Sequence, residues 1–356
     1  MSSAESLLLN TILNQALEKH ASDVHLTVGN YPVIRVGGSL AVLSSEQIIN
    51  PDFINTVVEA MVPAEDQQRL QHDRDIVVSY TWADRARFRA QVFFQKGYPA
   101  ISLRVIPTQI ANPKDLGISS MVINAIDQLK GLIMIVGPYH SGRTTTACSL
   151  LEYVNQRLGK HILTLERPIE YLLVNNKAVI SQREVGKDVP TYMLGLKEAL
   201  DDDMEIVMMS ELTEVGQAEA VLELVESGKL VVVVMNALSV VTALESFLSG
   251  ISAERAAWAR QIVGDNLQIV TAQRLVPKIA GGLALAYEIL TMSAAVKSVM
   301  KDGNFYQLNN VMLTSRQDGM IALDRHLADL VKQGVIAADQ ASRYALDPKT
   351  LQLSMK

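Results

Sequence analysis

The sequence predicts an α/β protein: a parallel-sheet core with a smaller α+β domain before it and a helical segment after it. Three observations predict this. Between residues 131 and 235, short apolar runs alternate with helical patterns, the rhythm of a parallel sheet with crossover helices. The eight residues GPYHSGRT at 137–144 sit between one of those runs and the next helix. Before residue 107, strand-like runs alternate with polar turns and two helical segments, which reads as a small α+β domain.

The elements follow in order. The N-terminal stretch places Leu9, Ile12, Leu13, Ala16 and Leu17 on one stripe, so it reads as an amphipathic helix. It lacks a basic leading region and is broken by polar residues, which makes it a poor signal peptide. Residues 33–36 form a strand ended by Gly37 and Gly38, and residues 87–94 and 100–106 read as two more strands. A second helix is expected over 51–61. These elements make an α+β domain over 1–107. Two prolines and a glycine mark 108–117 as a linker. Residues 118–290 form the parallel-sheet domain, with strands at 132–136, 161–165, 205–209 and 230–235 and helices near 143–157, 190–201 and 213–228. Residues 291–356 return to helical periodicity, with Leu323, Leu327, Leu330 and Val331 on one stripe.

Composition bounds the function. Half of the 356 residues are hydrophobic and a fifth are charged, which excludes a disordered chain. The apolar runs at 131–137 and 230–235 are far shorter than the roughly 20 residues of a membrane-spanning helix. They suit central strands buried on both faces. One cysteine, Cys148, excludes an internal disulfide and fits a reducing cytoplasm. A net charge of −6 gives no basic footprint for nucleic acid. His25 and His140 stand alone, no His/Cys/Asp spacing suggests zinc, and residues 201–203 read as a solvated helix end.

The spacing G-x-x-x-x-G-[K/R]-T, placed between a strand and a helix, is that of a phosphate-binding loop. Backbone N–H groups at the helix start face the phosphates in such a loop. Gly137, Ser141, Gly142, Arg143, Thr144 and Thr145 are therefore the candidate nucleotide ligands, with the Thr144 hydroxyl as the magnesium ligand. ATP and Mg²⁺ are the cofactors this loop implies. The seventh position is usually lysine, a compact point charge, and here it is the planar, bulkier Arg143. The bland alternative is a Gly-turn-helix junction without a ligand.

Reading onward, motifs spread over nearly the whole chain occur in one order. They are ASDVHL at 21–26, RFR at 87–89 with Arg104, ILTLERPIE at 162–170, QREV at 182–185, IVMMSE at 206–211, residues 230–239, and AVKSVM at 295–300. In this order they resemble the PilT/PilU-type retraction ATPases of bacterial type IV pili, within the secretion-ATPase superfamily of hexameric motors. QREVG and the tail YALDPKTLQL look more like PilU. The resemblance implies a RecA-like P-loop NTPase core and a PAS-like N-terminal domain. It implies that Arg87, Arg89 and Arg104 act across subunits on bound nucleotide, that Glu211 polarises the attacking water, and that Glu166 belongs to an acidic "Asp box". It further implies a homo-hexamer or an association with a PilT-like ATPase. The inner-membrane platform protein of the pilus is the implied partner, with a cytoplasmic, peripheral location and no transmembrane segment.

The departures from that pattern set the functional expectation. Arg143 replaces the loop lysine, Arg167 reverses the second acidic position of the Asp box, and Asn236 replaces the "His box" histidine. Ser210 replaces the usual glycine before the Walker B glutamate, and Thr213 stands where an arginine follows it. Phosphoryl transfer depends on positioning and on charge around the γ-phosphate. Three changes at such positions predict an accessory subunit with weak or lost hydrolysis; the alternative is an active retraction motor driving twitching motility. Bland readings stand beside these. Glu211 reads also as a solvated loop carboxylate, Asn236 as a cap for the following helix, and the three arginines as strand-surface charges.

Overall fold

A computed structural model describes residues 3–83 and 85–355. The chain forms two compact units, Met1–Gln109 with Pro168–Leu172, and Ile110–Arg167 with Leu173–Lys356. The segment that follows the Asp-box residues Glu166 and Arg167 thus belongs with the first unit.

The first unit is a six-stranded antiparallel sheet with three helices. In chain order it contains α1 (Ser3–Glu18), β1 (Asp23–Thr27), β2 (Val33–Val36), β3 (Ser39–Val42), α2 (Pro51–Met61), α3 (Ala64–Asp73), β4 (Asp75–Trp82), β5 (Ala86–Gln95) and β6 (Tyr98–Ile106). The sheet order is β3-β2-β1-β6-β5-β4. The apolar stripe of α1 is buried at Leu9, Ile12, Leu13 and Ala16, in one cluster with Phe53 and Val57 of α2 and Phe88 and Val92 of β5. Helix α2 starts where the sequence stops it from starting earlier: the Asn50 side chain accepts from the Phe53 N–H at 2.8 Å, and Pro51 takes the first turn.

The second unit is the parallel-sheet core. It contains α4 (Ser120–Ile126), β7 (Gly131–Gly137), α5 (Arg143–Asn155), β8 (His161–Glu166), β9 (Val179–Glu184), α6 (Tyr192–Asp201), β10 (Ile206–Met209), α7 (Gln217–Glu226), β11 (Leu230–Asn236), α8 (Val240–Ser249), α9 (Ala256–Asn266), β12 (Leu267–Pro277) and β13 (Leu283–Thr291). Helices α10 (Ala294–Asp302), α11 (Leu308–Thr314), α12 (Leu323–Lys332), α13 (Ala338–Tyr344) and α14 (Pro348–Met355) complete it. The sheet order is β13-β12-β7-β11-β10-β8-β9, parallel throughout except for the β12–β13 hairpin.

Every residue of β7 is buried, which explains its unbroken apolar sequence. Its side chains alternate between two cores. Leu132, Met134 and Val136 join α6, α7, α8 and α9 on one face, while Ile133 and Ile135 join α4 and α5 on the other. Each such buried side chain contributes about 1.5–3 kcal/mol, so β7 and its helices form the rigid base from which the phosphate loop projects. Leu323, Leu327 and Leu351 of the C-terminal helices cover Val276 and Ala286 of the hairpin. The sequence reading did not anticipate β9 or the β12–β13 hairpin, and the hairpin proves important at the site.

Candidate functional site

The loop from Gly137 to Arg143 leaves the carboxyl end of β7, where ligands of open parallel sheets sit. Its backbone has two left-handed residues. Gly142, at φ 84°, is the N-cap of α5 and supplies no side-chain cap. The α5 N-terminus thus keeps the exposed N–H groups and the partial positive charge that favour an anion. His140, at φ 65°, takes the same conformation without being glycine, which is locally costly. Gly137 is held by close approach. A Cβ there would meet the Ser141 Oγ and lie 2.6 Å from the Gln273 carbonyl oxygen. The Ser141 hydroxyl is itself buried without a hydrogen-bond partner, an uncompensated cost unless something binds at the loop. A left-handed N-cap, an uncapped helix start and an orphaned hydroxyl together fit a phosphate group. Arg143 opens α5 with its guanidinium 5.9 Å from the Tyr139 ring centre, within cation–π range. That ring is 75% exposed. Thr144 and Thr145 follow on the first turn, both half-buried.

Glu211 lies just beyond β10, two strands from the loop. Its Oε1 accepts from the Tyr192 hydroxyl at 3.4 Å, and that hydroxyl also pairs with the Ser210 Oγ at 2.9 Å. Burial, and then the Glu211 charge, push the Tyr192 phenol well above its ordinary range. It therefore stays protonated and available as a donor. The charges of Arg167 and Glu166 also act on this phenol, which places the Asp-box end of β8 beside the Glu211 cluster. The Ser210 N–H donates to the Leu165 carbonyl at 3.0 Å and fixes the ends of β10 and β8 together. Glu166 is fully buried. Its Oε1 accepts from Thr164 Oγ1 at 2.7 Å and from Gln182 Nε2 at 3.0 Å. Arg167, next along, is exposed.

Asn236 ends β11 in register with Gly137 of β7, so it adjoins the phosphate loop. It is not the cap of α8. Ser239 fills that role, accepting from the Thr242 N–H at 3.2 Å in a reciprocal capping box, because the helix starts three residues later than a cap at 236 requires. Arg87, Arg89 and Arg104 lie in the first unit, each engaged there. Arg87 donates to the Ile169 carbonyl at 2.8 Å, Arg89 pairs with Glu170 at 2.8 Å, and Arg104 pairs with Asp23 at 3.5 Å. Among the described residues, no cluster of three His, Cys, Asp or Glu side chains suits a metal ion, and no helix is long and apolar enough to cross a membrane.

Sequence reasoning passed over Tyr192, Gln273, Arg274 and Glu288, and named Gln182 only within the QREV motif. Gln273, Arg274 and Glu288 carried a readable signal, since each is a polar residue inside an otherwise apolar strand.

Residues 2–314 match the family described as Type II/IV secretion system protein. The chain belongs to that family. Among relatives of this secretion-ATPase family member, the type IV pilus retraction ATPase PilT of Pseudomonas aeruginosa is 28% identical over 96% of this chain and 99% of its own. PilU of the same organism is 26% identical over 97% and 90%, so the chain is about equally similar to both. The crystal structure of the pilus retraction motor PilT with bound ADP superposes with a TM-score of 0.84 at 30% identity, covering 96% of this chain and 98% of that one. The Legionella pneumophila ATPase DotB shares the fold, with a TM-score of 0.81 at 20% identity over 95% of both chains. The secretion-ATPase fold read from the sequence is therefore the fold of this chain.

Proposed function

We propose that this family member is a PilU-like component of the type IV pilus retraction machinery. It binds nucleotide at the loop 137–145 but hydrolyses it weakly, and acts as an accessory subunit of a hexameric motor. The observation that carries the reading is Arg143. The cation that should reach the terminal phosphates sits instead on a bulky fork over the exposed Tyr139 ring. Arg167 adds a second cation next to the acidic Glu166 and near Glu211, where phosphoryl transfer calls for acidic and water-positioning groups. A misplacement of about 1 Å costs on the order of a hundredfold in rate.

In this reading the backbone N–H groups of Ser141 to Thr145 hold the phosphates and Thr144 holds Mg²⁺, which supplies charge neutralisation when bound. Glu211, steadied by Tyr192, orients water. Arg87, Arg89 and Arg104 serve a neighbouring subunit. Either a homo-hexamer or an assembly with a PilT-like ATPase suits these roles. The chain then works at the cytoplasmic face of the inner membrane, against the pilus platform protein.

A second reading, an active retraction motor, is favoured by one observation: Glu211 keeps a hydrogen-bonded place at the sheet end. Titration with Mg-ATP beside a steady-state ATPase assay separates the two. Binding with little turnover is the expected result. Turnover at a rate ordinary for motor ATPases, abolished by Glu211→Gln, overturns the accessory reading. Arg143→Lys alone is expected to leave turnover low while Arg167 remains.

A further inference from the structure

Two consecutive residues of β12 reach two different loops. Gln273, 1% exposed, donates from Nε2 to the Ser141 carbonyl at 2.8 Å. Its own carbonyl oxygen lies 2.6 Å from where a Cβ at Gly137 would stand. Arg274, 6% exposed, donates from Nη1 to that same Gln273 carbonyl at 3.0 Å and from Nη2 to the Leu238 carbonyl in the β11–α8 loop. Glu288, on the paired strand β13, accepts from the Val240 N–H at 2.9 Å, two residues further along at the start of α8. Since β7 lies between β12 and β11, the Arg274 side chain crosses the carboxyl end of the strand that carries the phosphate loop.

The chain of contacts is therefore unbroken: Ser141, Gln273, Arg274, Leu238, with Glu288 fixing Val240. Buried amide and guanidinium groups are expensive unless hydrogen-bonded. Here the Gln273 amide and the Arg274 Nη2 bind main-chain carbonyls of two loops, and the Arg274 Nη1 binds the Gln273 carbonyl between them. Their effect is to make the shape of one loop depend on the other.

We infer that Gln273 and Arg274 are positioning residues that tie the phosphate loop to the β11–α8 loop, so that a phosphate held at the first is registered at the second. The registration of a bound phosphate rests on the nucleotide-binding reading above; the mechanical tie between the loops does not. Coupling of this kind is read by a direct measurement of both loops.

Backbone hydrogen exchange of the full chain supplies that measurement. Without nucleotide, Arg274→Met is expected to speed exchange about tenfold in residues 237–240 and also in residues 138–142, while strand β5 of the first unit is unchanged. A rise confined to 237–240 overturns the tie. Arg274→Lys keeps the charge with a single donor group and provides the same comparison if the methionine variant does not fold. Its expected effect is a smaller rise in both loops, and a rise in only one again overturns the proposal. Added Mg-ADP is expected to slow exchange in both loops of the unaltered protein, but only in 138–142 of Arg274→Lys. Equal slowing of 237–240 in both proteins refutes registration. Absence of any slowing at 138–142 in the unaltered protein defeats nucleotide binding instead, and the comparison without nucleotide still decides the tie.

Discussion

Replacing Glu288 by glutamine should make the protein more stable at pH 8 and leave it nearly unchanged at pH 4. Glu288 is 3% exposed, and burial pushes its carboxyl from 4.5 up to about 7, despite the opposing pull of the Val240 N–H and of Arg274. Asp324 of α12 also faces it and adds to the rise. Between pH 4.5 and 7 the folded protein holds a proton that the unfolded chain has released. Folding then binds protons, so stability is full below 4.5 and is lost as pH rises through 7. The gap of about 2.5 pH units (about 7 less 4.5) is worth about 3 kcal/mol at roughly 1.4 kcal/mol per unit. Glutamine copies the protonated form, still accepts from Val240, and has no charge to desolvate. The gain at pH 8 is therefore about 3 kcal/mol, or about 6–12 °C in the melting midpoint for a unit of this size. Thermal melts of both proteins across pH 4–8 measure it. Asp324 titrates in both, so the difference isolates Glu288. Parallel curves, or a glutamine variant less stable at pH 8 than the parent, would refute the reasoning.

Gly137→Ala should destabilise the second unit by about 1–3 kcal/mol, because its methyl group overlaps the Ser141 hydroxyl and the Gln273 carbonyl. A denaturant melt measures that cost, and the accompanying ADP titration should show at least a tenfold weaker affinity. Tyr192→Phe removes the hydroxyl that donates to Glu211 and pairs with Ser210 and should cost about 1 kcal/mol. Adding Ser210→Gly should cost less in the phenylalanine background than in the parent, and a double-mutant cycle that closes additively would count against a shared network. Phe88→Ala empties a fully buried site in the first unit and should lower its stability by about 3–5 kcal/mol, read from tryptophan fluorescence of Trp82 in the adjoining strand.

Much of this was legible from periodicity. The strands at 132–136 and 230–235 are unbroken apolar runs because both their faces are covered, and the stripe of α1 is regular because one face alone is buried. The phosphate loop was legible because its glycines answer a backbone demand: a left-handed N-cap at 142 and a close approach at 137. What escaped the sequence was pairing at long range. Nothing near Glu211 in the chain announces Tyr192, nineteen positions earlier and on another element. The hairpin of β12 and β13 was hidden because QRLVP and YEIL break the alternation with Gln273, Arg274 and Glu288, whose partners lie in loops far away in sequence. Asn236 was ambiguous for a simpler reason. Asparagine and serine both suit a helix cap, and only the helix start at Val240 gives the role to Ser239.

Under the proposed role of Arg87 and Arg89 across subunits, their contacts within the first unit set up a competition. Arg89 already has a carboxylate in Glu170, and Arg87 a carbonyl at Ile169. A phosphate arriving from outside does not meet an idle cation; it must displace an acceptor already in place, and only the difference between the two bonds remains as affinity. A half-exposed ion pair is weak, worth at most about 1 kcal/mol, so the incumbent yields easily to a dianionic rival yet is enough to turn away weaker anions. On the proposed role for Arg89, its pair with Glu170 is a bond that an incoming phosphate has to displace.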